Sequence, residues 1–259
     1  MAGFLFHEVV FGPVRSRRLG LSLGINLLPL DTKYCSFNCI YCECGWTPRH
    51  MPEKPDFPSR GEVSLYLGQK LQQLAKEGYL PDALTYAGNG EPTMHPDFAA
   101  IVDDTIALRD KYAPKAKVSV LSNASRIHVP EVFQALLKLD QNIQKLDAGF
   151  EKMFTLINNP VEPVPFEPLI GNLVKFGGEV IIQSMFLRGS YKGEQVDNTA
   201  AAEVDEWLHH LLKIKPKMVM IYPIARETPV HSLEKIPFSE LNAIAEKVRK
   251  SGLQVQVYG

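Results

Sequence analysis

Three of the chain's four cysteines fall within eight residues, Cys35-Ser36-Phe37-Asn38-Cys39-Ile40-Tyr41-Cys42, in the spacing C-x3-C-x2-C. Thiolates are the usual protein ligands of cubane iron–sulfur clusters, which contain four irons. Three clustered thiolates leave one iron without a protein ligand. An open coordination position is what a metal centre needs to act on a small molecule. A structural zinc site is the alternative. It asks for a fourth Cys or His at short spacing, and Cys44 and His50 stand near enough in sequence to serve. Incidental buried thiols explain the cluster less well, because cysteine is scarce elsewhere in the chain.

A second stretch with chemical content is Gly88-Asn89-Gly90-Glu91-Pro92. Its glycines let the backbone approach a ligand closely and take positive φ. Glu91 offers a carboxylate to an ammonium, although an ordinary turn would also use these residues. Ser122 and Asn123 can hydrogen-bond sugar hydroxyls or a carboxylate, or they can serve a local Asx-turn or helix cap. Lys145, Asp147, Gln183 and Met185 lie in or just after apolar segments. A glutamine in so apolar a run needs a partner if it is buried. Arg188 and Arg226 each follow a strand, where a cation beside an anionic ligand and a solvated loop arginine are both open readings. Arg15, Arg17 and Arg18 either pair with acids to close the lower end of the fold or bind phosphate.

These residues need elements to position them, and the apolar periodicity supplies them. Strands are expected at about 21–28, 83–87, 117–121, 142–147, 180–187, 218–224 and 253–258. Helices are expected at about 62–76, 96–112, 130–139, 169–175, 200–214 and a last one ending before Gly252, a glycine suited to the C′ position. Four prolines over 158–168 and a further four over 48–58 mark loops, as does the polar run 188–198. Strand–helix alternation predicts a parallel sheet with helices outside it, and six strand–helix units with a final strand are too few for an eight-fold barrel. Ligands bind at the carboxyl ends of parallel strands, which is where the polar motifs fall. The chain reads as one α/β domain over 1–259, with its core at about 20–225 and a closing helix and strand over 226–259.

The 259 residues, 45% of them hydrophobic, suffice for such a core. A net charge of -1 gives no general attraction to nucleic acid or anionic membrane. No apolar run is long enough to span a bilayer. The N-terminal residues lack the basic-then-apolar pattern of an export signal, so a cytoplasmic protein with reduced thiols is expected. With three cysteines used, Cys44 alone cannot support a second all-cysteine cluster.

The cysteine run, with Tyr41 just before its last Cys, resembles the signature of radical S-adenosylmethionine (SAM) enzymes. That resemblance implies a partial (β/α)6 TIM-like barrel, a [4Fe–4S] cluster on Cys35, Cys39 and Cys42, and SAM chelating the fourth iron. Reductive cleavage of SAM then gives a 5′-deoxyadenosyl radical that abstracts hydrogen from a substrate. Residues 88–92 resemble the family's Gly-Gly-Glu-Pro segment, which binds the amino group of SAM, with Asn89 in place of the first paired glycine. By the same resemblance Gly88, Asn89, Gly90 and Glu91 hold the methionine end of SAM. Ser122 and Asn123 help with ribose or carboxylate. Tyr41 lies near the adenine. Ile221 and Tyr222 either floor that pocket or belong to the barrel core, and Gln183 faces the cofactor site. Cys44, Lys145, Asp147, Gln183 and Arg188 are the candidates for work on the substrate. Residues 11–20, 88–93 and Asp147-Ala148 look most like a branch related to the wyosine-forming tRNA enzymes. The chain lacks their second set of cysteines and their positive charge. The implied partners are SAM, an electron donor such as flavodoxin or ferredoxin, and a substrate that is an RNA nucleotide or, as in glycyl-radical activating enzymes, a protein. A zinc-stabilised binding module without catalysis is the rival from another class.

Overall fold

The computed structural model describes residues 3–48 and 55–259. His50, weighed above as a metal ligand, lies outside them. Seven parallel strands form the sheet: β2 (Gly20–Ile25), β3 (Ala83–Tyr86), β4 (Lys117–Ser122), β5 (Gln141–Lys145), β6 (Ile181–Tyr191), β8 (Met218–Pro223) and β10 (Val255–Val257). The order is sequential, as right-handed strand–helix–strand crossovers produce. Helices α1 (Arg60–Glu77), α2 (Phe98–Tyr112), α3 (Pro130–Leu137), α5 (Phe166–Val174), α6 (Ala201–Ile214) and α7 (Phe238–Lys250) fill the crossovers, as their apolar spacing predicts. Among the described strands the sheet remains an open path from its first edge to β10, so the barrel is partial.

Alternate residues of each strand face opposite ways. Leu84, Val118, Ile182, Val219 and Ile221 join the helix-side core. Ala83, Ile143, Ile181 and Met220 belong to a separate inner cluster with Leu19, which fills the lower barrel. One or two steps further along the same inner rows stand Leu121, Lys145, Gln183, Met185 and Tyr222, all of which line one cavity. Alternation therefore places these residues in the mouth, and it puts Ile221, a candidate for the adenine pocket, on the helix side instead.

Four elements depart from expectation. Residues Val10–Ser16 form β1, antiparallel to β2, a strand the periodicity did not foresee. Pro13 removes a ladder donor, but β1 is an edge strand with an irregularity between Phe11 and Val14, the setting in which strand prolines are tolerated. Residues Glu151–Asn158 form a short α4, which the sequence reading did not foresee. The carboxylate of Glu203 accepts from the N–H groups of Gly149 (2.9 Å) and Phe150 (3.3 Å) at its start, so a distant residue secures it. The polar run 188–198 is a hairpin of β6 with β7 (Glu194–Asp197). Lys192 and Gly193 at its tip both have positive φ, as a tight hairpin turn of the favoured twist requires. Between β8 and α7, Glu234–Lys235 forms a two-residue β9, unforeseen from the sequence, that pairs with β6.

Candidate active site

The cysteine loop is clamped from both sides. On one side Tyr34 N–H donates to Asn89 O (2.8 Å) and Glu91 N–H donates to Tyr34 O (3.1 Å). On the other, Asn38 N–H donates to Asn159 O (3.0 Å), Ile40 N–H to Ile157 O (3.0 Å) and Val161 N–H to Ser36 O (2.9 Å). The proline-rich stretch after α4 thus gives the cysteine loop an antiparallel partner. Phe37 and Ile40 are fully buried and anchor the loop, with Phe37 edge-on to Phe154. Cys35, Cys39 and Cys42 turn instead toward a cavity of about 290 Å³ at the barrel mouth, which Gly88, Gly90, Glu91, Ser122 and Asn123 also line.

Two lysines stand against the thiols. Lys145 Nζ donates to Cys39 Sγ at 2.7 Å and lies 3.6 Å from Asp147 Oδ2. Lys33 is buried and donates to Gly45 O at 2.8 Å. Burial lowers the pKa of both ammoniums, but the neighbouring sulfurs, and for Lys145 also Asp147, outweigh it and the net shift is upward. Burial pushes the Cys35 thiol up to about 12 and raises Cys39 too. Cys42 moves the other way, through the Cys44 thiol beside it and then Lys33. Lys33 was missed from sequence, although its place two residues before the first cysteine was the available signal.

Glu91 is buried. Its Oε1 accepts from Thr93 N–H (3.1 Å) and Thr93 Oγ1 (2.6 Å), and its Oε2 accepts from Asn123 N–H (2.6 Å). It therefore ties the loop after β3 to the loop after β4, with one of about four lone-pair positions left over. Replacing Glu91 with Gln turns an acceptor into a donor facing an N–H. The expected loss is ~2 kcal/mol, seen as a fall of roughly 4–8 °C in thermal midpoint; an unchanged midpoint would contradict this role.

Asn123 Nδ2 donates to Ser36 Oγ at 2.9 Å, and Ser122 Oγ accepts from Ala124 N–H. Tyr41 donates its hydroxyl to Asp147, whose other oxygen accepts from Met185 N–H at 2.8 Å; the ring is thereby fixed on the cavity wall. Burial pushes the Asp147 carboxyl up, against the pull of Lys145 and Tyr41. Gln183 also lines the cavity, and its Nε2 is buried without a partner. Cys44 Sγ lies 3.5 Å from Gly88 O. Tyr222 carries the Arg18 guanidinium 4.7 Å over its ring.

Two expected site residues sit elsewhere. Asn89 is fully buried and points away, its amide donating to Phe6 O (2.9 Å) and Pro29 O (2.8 Å). Arg188 falls on the outward row of β6 and binds Glu240 of α7 (2.5 Å) and Thr199 (2.7 Å). Gly88 and Gly90 line the cavity with positive φ, as expected, and both also meet the chain closely. A Cβ on Gly88 would lie 2.3 Å from Asn26 Oδ1, and one on Gly90 would lie 1.9 Å from Tyr34 O. Their freedom serves the packing of this loop against the chain, and so sets the cavity's shape.

The donor set fits an iron–sulfur cluster. Three soft thiols face one space, two ammoniums offset their charge, and an unpartnered amide faces the same space. Among the described residues no three His, Cys, Asp or Glu converge closely enough to hold a single ion. No described helix is long and apolar enough to cross a membrane.

Comparison with known proteins agrees. The family model of the radical SAM superfamily matches residues 30–161. A protein named GTPase Obg from Brachyspira hyodysenteriae is 30% identical over 245 residues, covering 93% of this chain and 33% of its own length. A UPF0026 protein from Methanocaldococcus jannaschii is 32% identical over 197 residues, covering 74% of this chain and 58% of its own. The chain thus spans between a third and three-fifths of these two relatives. Among solved structures, a radical SAM methyltransferase from Sphaerobacter thermophilus superposes with TM-score 0.66 at 14% identity, over 92% of this chain and 65% of that one. A TYW1 structure with a lysine–pyruvate adduct bound superposes with TM-score 0.62 at 14% identity, over 88% and 73%. The fold is shared with solved radical SAM proteins, and the chain belongs to the radical SAM superfamily.

Proposed function

We propose that the chain holds one [4Fe–4S] cluster on Cys35, Cys39 and Cys42 and binds SAM across Gly88, Gly90 and Glu91 and across Ser122–Asn123. When bound, the pair supplies a 5′-deoxyadenosyl radical for hydrogen abstraction, with the electron coming from a flavodoxin- or ferredoxin-class donor. The observation that supports this most is the shared cavity: three thiols, the 88–91 loop and the 122–123 turn line the same 290 Å³. The chain's own contribution is placement and charge. Lys33 and Lys145 stabilise deprotonated sulfur. Asp147 keeps Tyr41 on the wall, and Glu91 locks two binding loops to each other. The unpartnered Gln183 Nε2 offers a donor to an acceptor on the bound nucleoside.

Anaerobic reconstitution with iron and sulfide tests the reading. The expected product is a brown protein with about four irons per chain that forms 5′-deoxyadenosine from SAM under a strong reductant. One tightly held zinc and no deoxyadenosine would overturn it.

A further inference from the structure

Arg15 and Arg18 have no carboxylate partner among the described residues, so they do not close the fold by ion pairing. Arg17 donates to an oxygen of Gly259, the last residue of the sequence, and Arg18 lies on the Tyr222 ring. Asp82, near the same strand ends, accepts instead from Leu21 N–H at 2.7 Å. All three arginines line a second cavity of about 290 Å³ between the β1–β2 hairpin and the end of β8, at the open side of the partial barrel. Arg226 enters it from the far side. The lining holds four arginines and one carboxylate, Glu43, which Arg226 already engages at 2.6 Å. Ser22 and Thr85, hydrogen-bonded to each other at 2.7 Å, face the same space.

This cavity adjoins the thiol-lined one, since Arg18, Glu43 and Leu121 border both. A molecule seated among the arginines could therefore extend past Arg18 and Tyr222 toward the cysteines. Planar guanidinium forks suit tetrahedral oxyanions, which accept from several of them at once. Two arginines without a counter-ion, Arg15 and Arg18, with Arg17 beside them, suit a group that carries more than one negative charge.

We propose that this arginine cavity binds a phosphate group of the enzyme's substrate, so that the substrate is a phosphate-bearing molecule whose reacting carbon projects toward the cluster pocket. The assignment rests on the radical SAM reading for the second half of that statement, and on the arginine geometry alone for the first.

The test uses anaerobically prepared holoprotein with SAM saturating its own site. Pyrophosphate, cytidine 5′-monophosphate and a short single-stranded RNA are titrated calorimetrically into wild type and into an Arg15→Gln/Arg226→Gln variant. Both substitutions fall on exposed side chains, and iron content with the visible spectrum checks that the variant is folded and loaded. Wild type should bind pyrophosphate saturably, weaken with added salt and gain in thermal midpoint, while the variant binds roughly tenfold or more weakly. Tighter binding of RNA than of the mononucleotide assigns the phosphate to a nucleic acid. Equal or tighter binding of the mononucleotide assigns it to a small metabolite; either result supports phosphate recognition. No pyrophosphate binding by wild type, or equal binding by wild type and variant, overturns the proposal. Deoxyadenosine formation and iron content report separately on the parent reading, so the two failures are distinguishable.

Discussion

A Cys39→Ala protein should emerge from reconstitution with its iron reduced from about four per chain to near none, and SAM cleavage should fall to background. The effect has two parts. One of three ligands to the cluster is gone, and the two remaining thiols cannot hold it. The second part falls on the protein itself. Lys145 loses the sulfur 2.7 Å from its Nζ, and a buried ammonium is left with Asp147 at 3.6 Å as its remaining partner. Leaving a buried charge short of partners costs about 1–3 kcal/mol. The metal-free Cys39→Ala protein should therefore melt below metal-free wild type, and Lys145→Met added to it should recover stability without recovering iron. Such a cycle separates charge from ligation. Cys44→Ala is the counterpart, since three thiols still face the cavity; it should keep its iron. Full iron in Cys39→Ala would remove the basis of the assigned site.

Gly90→Ala should be the most damaging single methyl in the chain's upper half. The added Cβ would stand 1.9 Å from Tyr34 O and 2.5 Å from its carbon, both backbone atoms that carry the residue before Cys35. A rotamer change cannot relieve that overlap, so the loops must part. The backbone bonds that join residues 34, 89 and 91 break with them. Gly90 also has φ +145, which adds strain for any L side chain. A loss of about 3 kcal/mol or more is expected, with iron binding impaired along with it. Gly171 in α5 gives the contrast: nothing lies within 4 Å of a Cβ there, and Gly171→Ala should gain up to about 1 kcal/mol through helix propensity. Equal midpoints for the two alanine variants would show that the close approach at Gly90 does not constrain the fold.

What could be read from the chain was local or periodic. The cysteine motif spans eight residues and the 88–92 loop five, so each carries its meaning within its own length. The strand and helix periods were also legible, and strict alternation along β6 and β8 would have separated Gln183 and Tyr222 from Arg188 and Ile221. What resisted reading depends on distant partners. Asn89 matched a ligand-binding position, yet its amide is fixed by Phe6 and Pro29, 83 and 60 residues away. The start of α4 relies on Glu203. β1 went unforeseen, since nothing local shows that it lies at a sheet edge, where its Pro13 is tolerated. The turn at Lys192-Gly193 places a lysine at positive φ, where asparagine or aspartate would have given the stronger signal.

The clamp on the cysteine loop has a consequence for timing. Its second jaw, residues 157–161, lies about 120 residues after Cys42 in the sequence. At roughly 5–20 residues per second, a ribosome releases the thiols on the order of ten seconds before the segment that holds them in place. The proposed cluster would thus enter late in biogenesis, after an interval in which the nascent chain carries three sulfurs that the second jaw does not yet shield.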